Sequence, residues 1–381
     1  MNYYTPFLEV TKTILDAGGE DLKKCYQCGT CTAVCPWGSV REFSPRYIFK
    51  LAQHGLEGYE GDDLWLCSTC KTCVDRCPRG VGIIDVFTSM RSIIAQTGLI
   101  PPTLRSVIGS INSNGNPWSG KREERNIWAK ELELKQYKEG TEYLYFSCCA
   151  PSYDPRTRKV AISTAKILKE AGIDFGIFGK EESCCGESIR KTGDYTTYEK
   201  LLDSNVSLFN SNGVKKIIAQ SPHCLYSFKK EYPSKDGNYE PIHYTQIIAK
   251  LIKEKKLNLK KEFKKKVTYH DPCYLGRHSG IYDEPREILK SVPGLEFVEM
   301  LRIKEQSFCC GGGGARMWME TPKEERFGVL RIKEALSTGA NVIATACPYC
   351  IQMLEDGRTA LGVEDKIEVM DISEILSASI F

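Results

Sequence analysis

Nowhere in its 381 residues does the chain carry eighteen consecutive apolar residues, so the sequence offers no helix able to cross a bilayer. The start lacks the basic n-region and apolar h-region of a secretory signal, which argues against export. An excess of charge is also missing: the formal net charge is +3, too balanced for a nucleic-acid groove or an acidic partner to be the main business. No G-x-G-x-x-G turn follows a strand, so any flavin or nicotinamide must be held by a partner. These absences lead to a cytoplasmic chain that meets a membrane only through another subunit.

Cysteine, by contrast, is abundant: there are eighteen. Disulfides would suit a small secreted protein, but this chain has no leader and is long enough to build a core without staples. The spacing is that of thiolate metal ligands.

Two runs stand out near the start. "CYQCGTCTAVCP" sets Cys25, Cys28, Cys31 and Cys35 before Pro36, and "CSTCKTCVDRCP" sets Cys67, Cys70, Cys73 and Cys77 before Pro78. Structural zinc takes separated two-cysteine knuckles, not four thiols inside eleven residues, twice. The runs resemble the bacterial two-cluster ferredoxin pattern, in which the fourth cysteine serves the other cluster. That resemblance implies one cubane on Cys25, Cys28, Cys31 and Cys77, and another on Cys67, Cys70, Cys73 and Cys35.

The 31 residues between Cys35 and Cys67 exceed what a compact ferredoxin needs. "SPRYIFKLAQHG" predicts a helix with Ser44 as N-cap, Pro45 in first position and Gly55 as its stop. "IIDVFTSMRSIIAQTG" predicts another, and "FLEVTKTIL" a helix that packs on this region or on a partner. Residues 1–105 therefore read as a mostly helical ferredoxin domain, and 106–140 as a polar linker.

Beyond it the other ten cysteines form a repeat. Cys149, Cys184, Cys185 and Cys224 recur as Cys273, Cys309, Cys310 and Cys350, 124 to 126 residues later. "YDPR" answers "YDEPR", "ILKEAGIDF" answers "ILKSVPGLEF", and "HYTQII" answers "DISEIL", so one unit is used twice, over 141–260 and 261–381. Short apolar runs precede the cysteines: "EYLYF", "IDFGIF" and "KKIIAQ", then "KVTYH", "LEFVEM" and "NVIATA". Strands alternating with helices predict parallel α/β sheets with ligands at the carboxyl ends of the strands. The fold class is thus α+β and multidomain. The two modules are expected to pack as a pseudo-twofold pair with their cysteine edges inward.

In "SFCCGGGG" the adjacent thiols of Cys309 and Cys310 can bridge different irons. Gly311, Gly312, Gly313 and Gly314 would let the backbone curl closely with its N–H groups toward sulfide, and Gly186 holds the matching place in "SCCGES". Gly311, Gly312 and Gly186 are accordingly cofactor-binding candidates.

"HDPCYLGR", "CCGGGG" and "CPYC", after a double ferredoxin run, resemble heterodisulfide reductase of the D-subunit type, which fuses a ferredoxin subunit to a cysteine-rich catalytic subunit. The resemblance covers nearly the whole chain. It implies CCG modules that bind noncubane 4Fe–4S clusters and reduce a disulfide, or else a pure electron relay in a larger complex of the sulfite-reduction or aromatic acyl-CoA type. Implied partners are a flavin-containing subunit or a membrane cytochrome or quinone subunit. Cys273, Cys309, Cys310, Cys347 and Cys350 match the five-cysteine pattern in full, which implies a noncubane cluster in the second module.

The first module departs from it. "SPHC" puts Ser221 where a cysteine is expected, and Cys148 stands where the family usually has glycine. Because a residue adjacent to Cys149 at a strand end tends to point the other way, four ligands are expected there, Cys149, Cys184, Cys185 and Cys224, holding an altered cluster. His270, Asp271 and Arg277 read equally as proton donors near the second module or as strand-end hydrogen bonding. His223 neighbours the first site, His54 and His243 read as structural, and the nine lysines of 250–266 read as a solvated face. No catalytic residue is singled out.

Overall fold

The computed structural model describes residues 5–381. Its helices begin where the sequence supplies caps: Ser44 Oγ accepts the N–H of Tyr47 and Pro45 opens helix Pro45–Gln53. Helix Ile83–Gln96 is buried over most of its circumference, as its apolar sequence requires, and its Phe87 packs against Phe49 with ring centroids 5.9 Å apart. The N-terminal helix Leu8–Ile14 buries Ile14, and Thr11 Oγ1 donates to Ala52 O at 2.8 Å, tying it to helix Pro45–Gln53. Among the described residues no helix is long and apolar enough to cross a membrane.

The stretch read as a polar linker is built into the fold. Helix Pro102–Asn114 ends at Gly115, whose φ of +69° suits glycine. Asn116 is fully buried and donates from Nδ2 to Gly120 O at 2.7 Å, while Trp118 meets Trp318 edge-on at 5.7 Å. Buried Ser110 and Asn116 satisfy the loop's own backbone, so their polarity marks internal hydrogen bonding and not exposure.

Two sheets follow. The first comprises β1 (Tyr143–Phe146), β2 (Phe175–Gly176), β3 (Lys216–Ala219) and β4 (Glu240–His243), in the order β2-β1-β3-β4. The second comprises β5 (Lys266–Tyr269), β6 (Glu296–Val298), β7 (Val342–Thr345) and β8 (Glu368–Asp371), in the order β6-β5-β7-β8. Every pairing is parallel. The central strands β1, β3, β5 and β7 are almost wholly buried, as continuous apolar runs in a covered parallel sheet should be. Edge strands β4 and β8 each end in a capping box, His243 with Gln246 and Asp371 with Glu374, which starts the module's last helix.

The modules exchange equivalent elements. Helix Pro155–Glu170 of the first packs on Ile372–Ile380 of the second, and Tyr244–Lys253 of the first packs on Asp283–Ser291 of the second. Such reciprocal contact is the mark of an isologous, twofold-like pair. Arg156 joins Glu374 at 2.9 Å across this boundary, and Tyr244 OH donates to Asp371 Oδ1 at 2.7 Å. The lysine-rich stretch pairs with acidic neighbours at the surface, among them Lys253 with Glu287 and Lys264 with Glu262.

Candidate metal centre

Each ferredoxin run makes the same turn. Gln27 and Gly29 in the first, and Thr69 and Lys71 in the second, all have positive φ, from +50° to +85°. Three of these four are not glycine, and such backbone survives where a site imposes it. It brings the three close thiols of each run to one hollow. Cys25, Cys28, Cys31 and Cys77 line one hollow with Arg46 and Arg79, and Cys35, Cys67, Cys70 and Cys73 line another with Phe43 and Phe87. The structure therefore brings together the two crossed sets. Cys28 is exposed, whereas Cys70 is buried.

The second ferredoxin run docks on the CCG loop of the second module. A Cβ on Gly313 would collide with Ser68 O and one on Gly314 with Cys67 O, so these two glycines make room for a neighbouring backbone. Gly311 serves the site itself: at φ +94° its N–H donates to Cys309 Sγ at 3.3 Å. Gly312 directs its backbone at Cys310, and Gly186, at φ +90°, repeats the turn beside Cys184. Across the junction Ser68 Oγ lies 3.7 Å from Cys309 Sγ, and the thiols of Cys70 and Cys309 are in hydrogen-bond contact. Thr69 Oγ1 and Tyr274 OH are 2.9 Å apart.

Three buried arginines hold these parts together. Arg91 donates to Leu64 O, Cys67 O, Lys191 O and Gly314 O at 2.9 to 3.2 Å, linking the ferredoxin region to both modules. Arg277 Nε donates to Cys70 O at 2.6 Å and its Nη1 to Ser307 O at 2.8 Å. Arg125 pairs with Glu182 and donates from Nη1 to Cys149 Sγ at 3.3 Å. Only Arg277 was singled out in the sequence; a lone arginine that is buried leaves no periodic signal.

In the second module the five thiols touch in the order Cys273, Cys309, Cys310, Cys350, Cys347, with Cys350 and Cys310 3.3 Å apart. A ring nitrogen of His270 lies within 4.8 Å of both Cys310 and Cys350. Arg331 Nε donates to His270 Nδ1 at 3.1 Å, so the ring proton sits on Nε2, which has no partner among the described residues. Burial and the Arg331 cation push the His270 pKa down to about 3, which keeps the ring neutral. Asp271 turns away to a two-pronged pair with Arg286 at 2.7 and 2.9 Å, a structural role.

In the first module Cys149, Cys184, Cys185 and Cys224 are likewise brought together, but Cys148 joins them, against the expectation that it points away. Ser221 is the N-cap of helix Pro222–Lys230, its Oγ accepting the His223 N–H at 3.3 Å. Such a cap is worth about 1 kcal/mol. Cys347 occupies the same place before helix Pro348–Leu361 and makes no side-chain cap bond; its thiol meets Cys350 and His223 instead.

His223 bridges the two modules. Its ring stacks on Tyr274 at 3.9 Å, contacts the Cys347 thiol, and binds Glu187 Oε2 through Nδ1 at 3.0 Å. Burial disfavours its cation, yet Glu187 and Cys347 outweigh burial and bring its pKa up to about 10. Burial likewise opposes the Glu187 carboxylate, and His223 outweighs it to hold the pKa at about 2. The cysteine edges of the modules thus face each other, with Tyr349 OH 3.2 Å from Ser188 Oγ between them. His243 is buried as a helix cap, and His54 ends helix Pro45–Gln53, both structural.

These residues fit thiolate-bound iron–sulfur groups. The ten module cysteines are each no more than 6% exposed. Arg277 Nη2 and His270 Nε2 are buried donors without partners among the described residues, Arg277 near Cys70, Cys273 and Cys309 and the His270 ring near Cys310 and Cys350. Arg91 forms no ion pair with a carboxylate among the described residues; the acidic group that favours its cation most is the Cys67 thiol. Buried donors and cations in that state call for an anion.

Related proteins agree with that chemistry. Residues 21–81 match the 4Fe-4S dicluster domain, and 143–229 and 267–355 each match the cysteine-rich domain. The chain is 39% identical over 299 residues to the probable iron-sulfur-binding oxidoreductase FadF of Bacillus subtilis, covering 76% of this chain and 42% of the relative. It is 38% identical over 300 residues to the EtfAB:quinone oxidoreductase of Syntrophomonas wolfei, covering 75% and 42%. The chain thus spans about two fifths of the length of these two relatives. It is 31% identical over 379 residues to the D subunit of the dihydromethanophenazine:CoB–CoM heterodisulfide reductase of Methanosarcina barkeri, covering 98% and 81%.

Proposed function

We propose a function on one premise: the chain belongs to the heterodisulfide reductase D-subunit family, with a 4Fe–4S dicluster domain joined to two cysteine-rich domains. It is an iron–sulfur protein of the oxidoreductase class. In our reading it is one component of a larger redox complex and passes electrons from the ferredoxin region into the CCG modules.

Cys25, Cys28, Cys31 and Cys77 would hold one cubane, and Cys35, Cys67, Cys70 and Cys73 the other. Cys273, Cys309, Cys310, Cys347 and Cys350 would hold a noncubane cluster, and the first module an altered one. When bound, such clusters supply one-electron steps. Exposed Cys28 presents the first set to a partner, and Arg46 and Arg79 give that face positive charge. The apposition of Cys70 and Cys309, with Ser68 Oγ 3.7 Å from Cys309 Sγ, carries the reading, because it sets the second ferredoxin run against the thiols of the second module. Arg277 lies against both and opposes the build-up of negative charge there.

The terminal acceptor in this reading is a disulfide, which takes two electrons and two protons to become two thiols. Deep burial of all ten module thiols favours a second reading, a relay between a flavin-containing partner and a quinone-linked one, with any membrane attachment on a partner subunit. Anaerobic stopped-flow separates them. The dithionite-reduced protein is mixed with CoB–CoM heterodisulfide, and separately with an electron-transferring flavoprotein. Reoxidation by the disulfide within seconds supports the first reading. Reoxidation by the flavoprotein alone supports the relay.

A further inference from the structure

The first module is one cysteine short at "SPHC" and is not short of a thiol in space. In the second module Cys347 is the terminal thiol of the series and touches Cys350. In the first the series runs Cys149, Cys184, Cys185, Cys224 and ends on Cys148, which touches Cys224. Cys224 and Cys350 are equivalent in the repeat. Cys148 therefore stands against Cys224 as Cys347 stands against Cys350, although it arrives from the end of β1 and not from the turn after β3.

Its backbone explains how it gets there. Neighbours on an extended chain face opposite sides, but Cys148 has φ +71° and ψ +158°, a region that glycine enters freely and other residues rarely do. That reversal brings the Cys148 thiol to the side that Cys149 faces. Ser152 Oγ donates to Cys148 O at 2.8 Å and helps hold the strained peptide. Cys148 is 4% exposed, so the strain is not relieved by solvent or by rotation outward. A side chain kept in a glycine conformation beside four other thiols is the arrangement expected where the thiol itself is used. Ser221 meanwhile spends its hydroxyl on the His223 N–H.

We propose that Cys148 is the fifth thiolate of the first module, which holds an iron–sulfur cluster through Cys148, Cys149, Cys184, Cys185 and Cys224, with Ser221 outside the ligand set. The proposal rests on the reading that the modules bind clusters, and it replaces the four-ligand site expected from the sequence. Both modules then offer five soft donors of one kind, and no hard alkoxide is asked to bind iron.

The test uses the full chain purified anaerobically, with iron per chain and the low-temperature spectrum of the oxidised protein as readouts. Cys148→Gly suits the backbone and removes only the thiol. It is expected to lose the first module's iron or its spectral signature, as Cys185→Ser does. Ser221→Ala is expected to keep both, since only a helix cap is removed. If Cys148→Gly retains iron and spectrum while Cys185→Ser loses them, Cys148 is no ligand and the cluster reading stands. If neither variant changes anything, the first module holds no cluster and both fall. A changed cluster spectrum in Ser221→Ala also overturns the assignment, by placing the serine in the ligand set.

Discussion

Cys70 of the second ferredoxin run and Cys309 of the second module meet thiol to thiol, across an interface that Gly313 and Gly314 keep open for the backbone of Cys67 and Ser68. The pair fixes a spatial order. The set that includes exposed Cys28 is followed by the set that includes buried Cys70, then by the second module, and then, past His223, by the first.

Gly314→Ala tests that junction. The new Cβ would occupy the space of Cys67 O, and the residue sits at φ +63°, so the cost is on the order of 2 kcal/mol or more. The expected result is a lower unfolding midpoint, with slower passage of electrons from the ferredoxin region to the second module in freeze-quench spectra. Gly280→Ala, at φ +74° with open space around it, should show the backbone cost alone and normal transfer.

Cys77→Ala should disturb the signal of the set containing Cys25, Cys28 and Cys31, because Cys77 shares their hollow. Cys35→Ala should disturb the other set. The check is the spectrum of each reduced variant; uncrossed losses would place the fourth ligands within their own runs.

Arg91→Met would strand four buried carbonyl groups, at about 1–3 kcal/mol for each that finds no water. Urea unfolding should show a loss of at least about 3 kcal/mol. Without the cation beside Cys67, a redox titration should also find the potential of that set more negative.

His223→Gln keeps a hydrogen-bonding side chain and removes a charge. With its pKa near 10, His223 is protonated across the neutral range and lies against Cys347. Its loss should shift the second-module signal to lower potential and leave the ferredoxin signals in place, read by the same titration. An unchanged second-module potential would mean that Cys347 does not feel the imidazolium.

The cysteine spacing and the repeat made the helical ferredoxin region and six of the eight strands legible, because both signals are local or periodic. Strands β4 and β8 were not, since "EPIH" and "EVMD" are short edge segments with little β-branched character. The supposed linker misled because buried asparagine and arginine look like surface residues in a sequence. Arg91, Arg125 and Glu187 went unseen for the same reason. Cys148 was visible, but strand alternation predicted the wrong side for it, and only the positive φ corrects that.

Mössbauer spectroscopy of the iron-57-enriched, anaerobically purified chain tests the central claim most directly, since it counts iron sites by coordination. The expected spectrum holds two four-iron cubanes from the ferredoxin region plus further iron from the two modules, of which the second module's share disappears in Cys350→Ser while the cubanes and the first module's share remain. Iron accounted for in full by two cubanes, with Cys350→Ser indistinguishable from the unaltered protein, would contradict it.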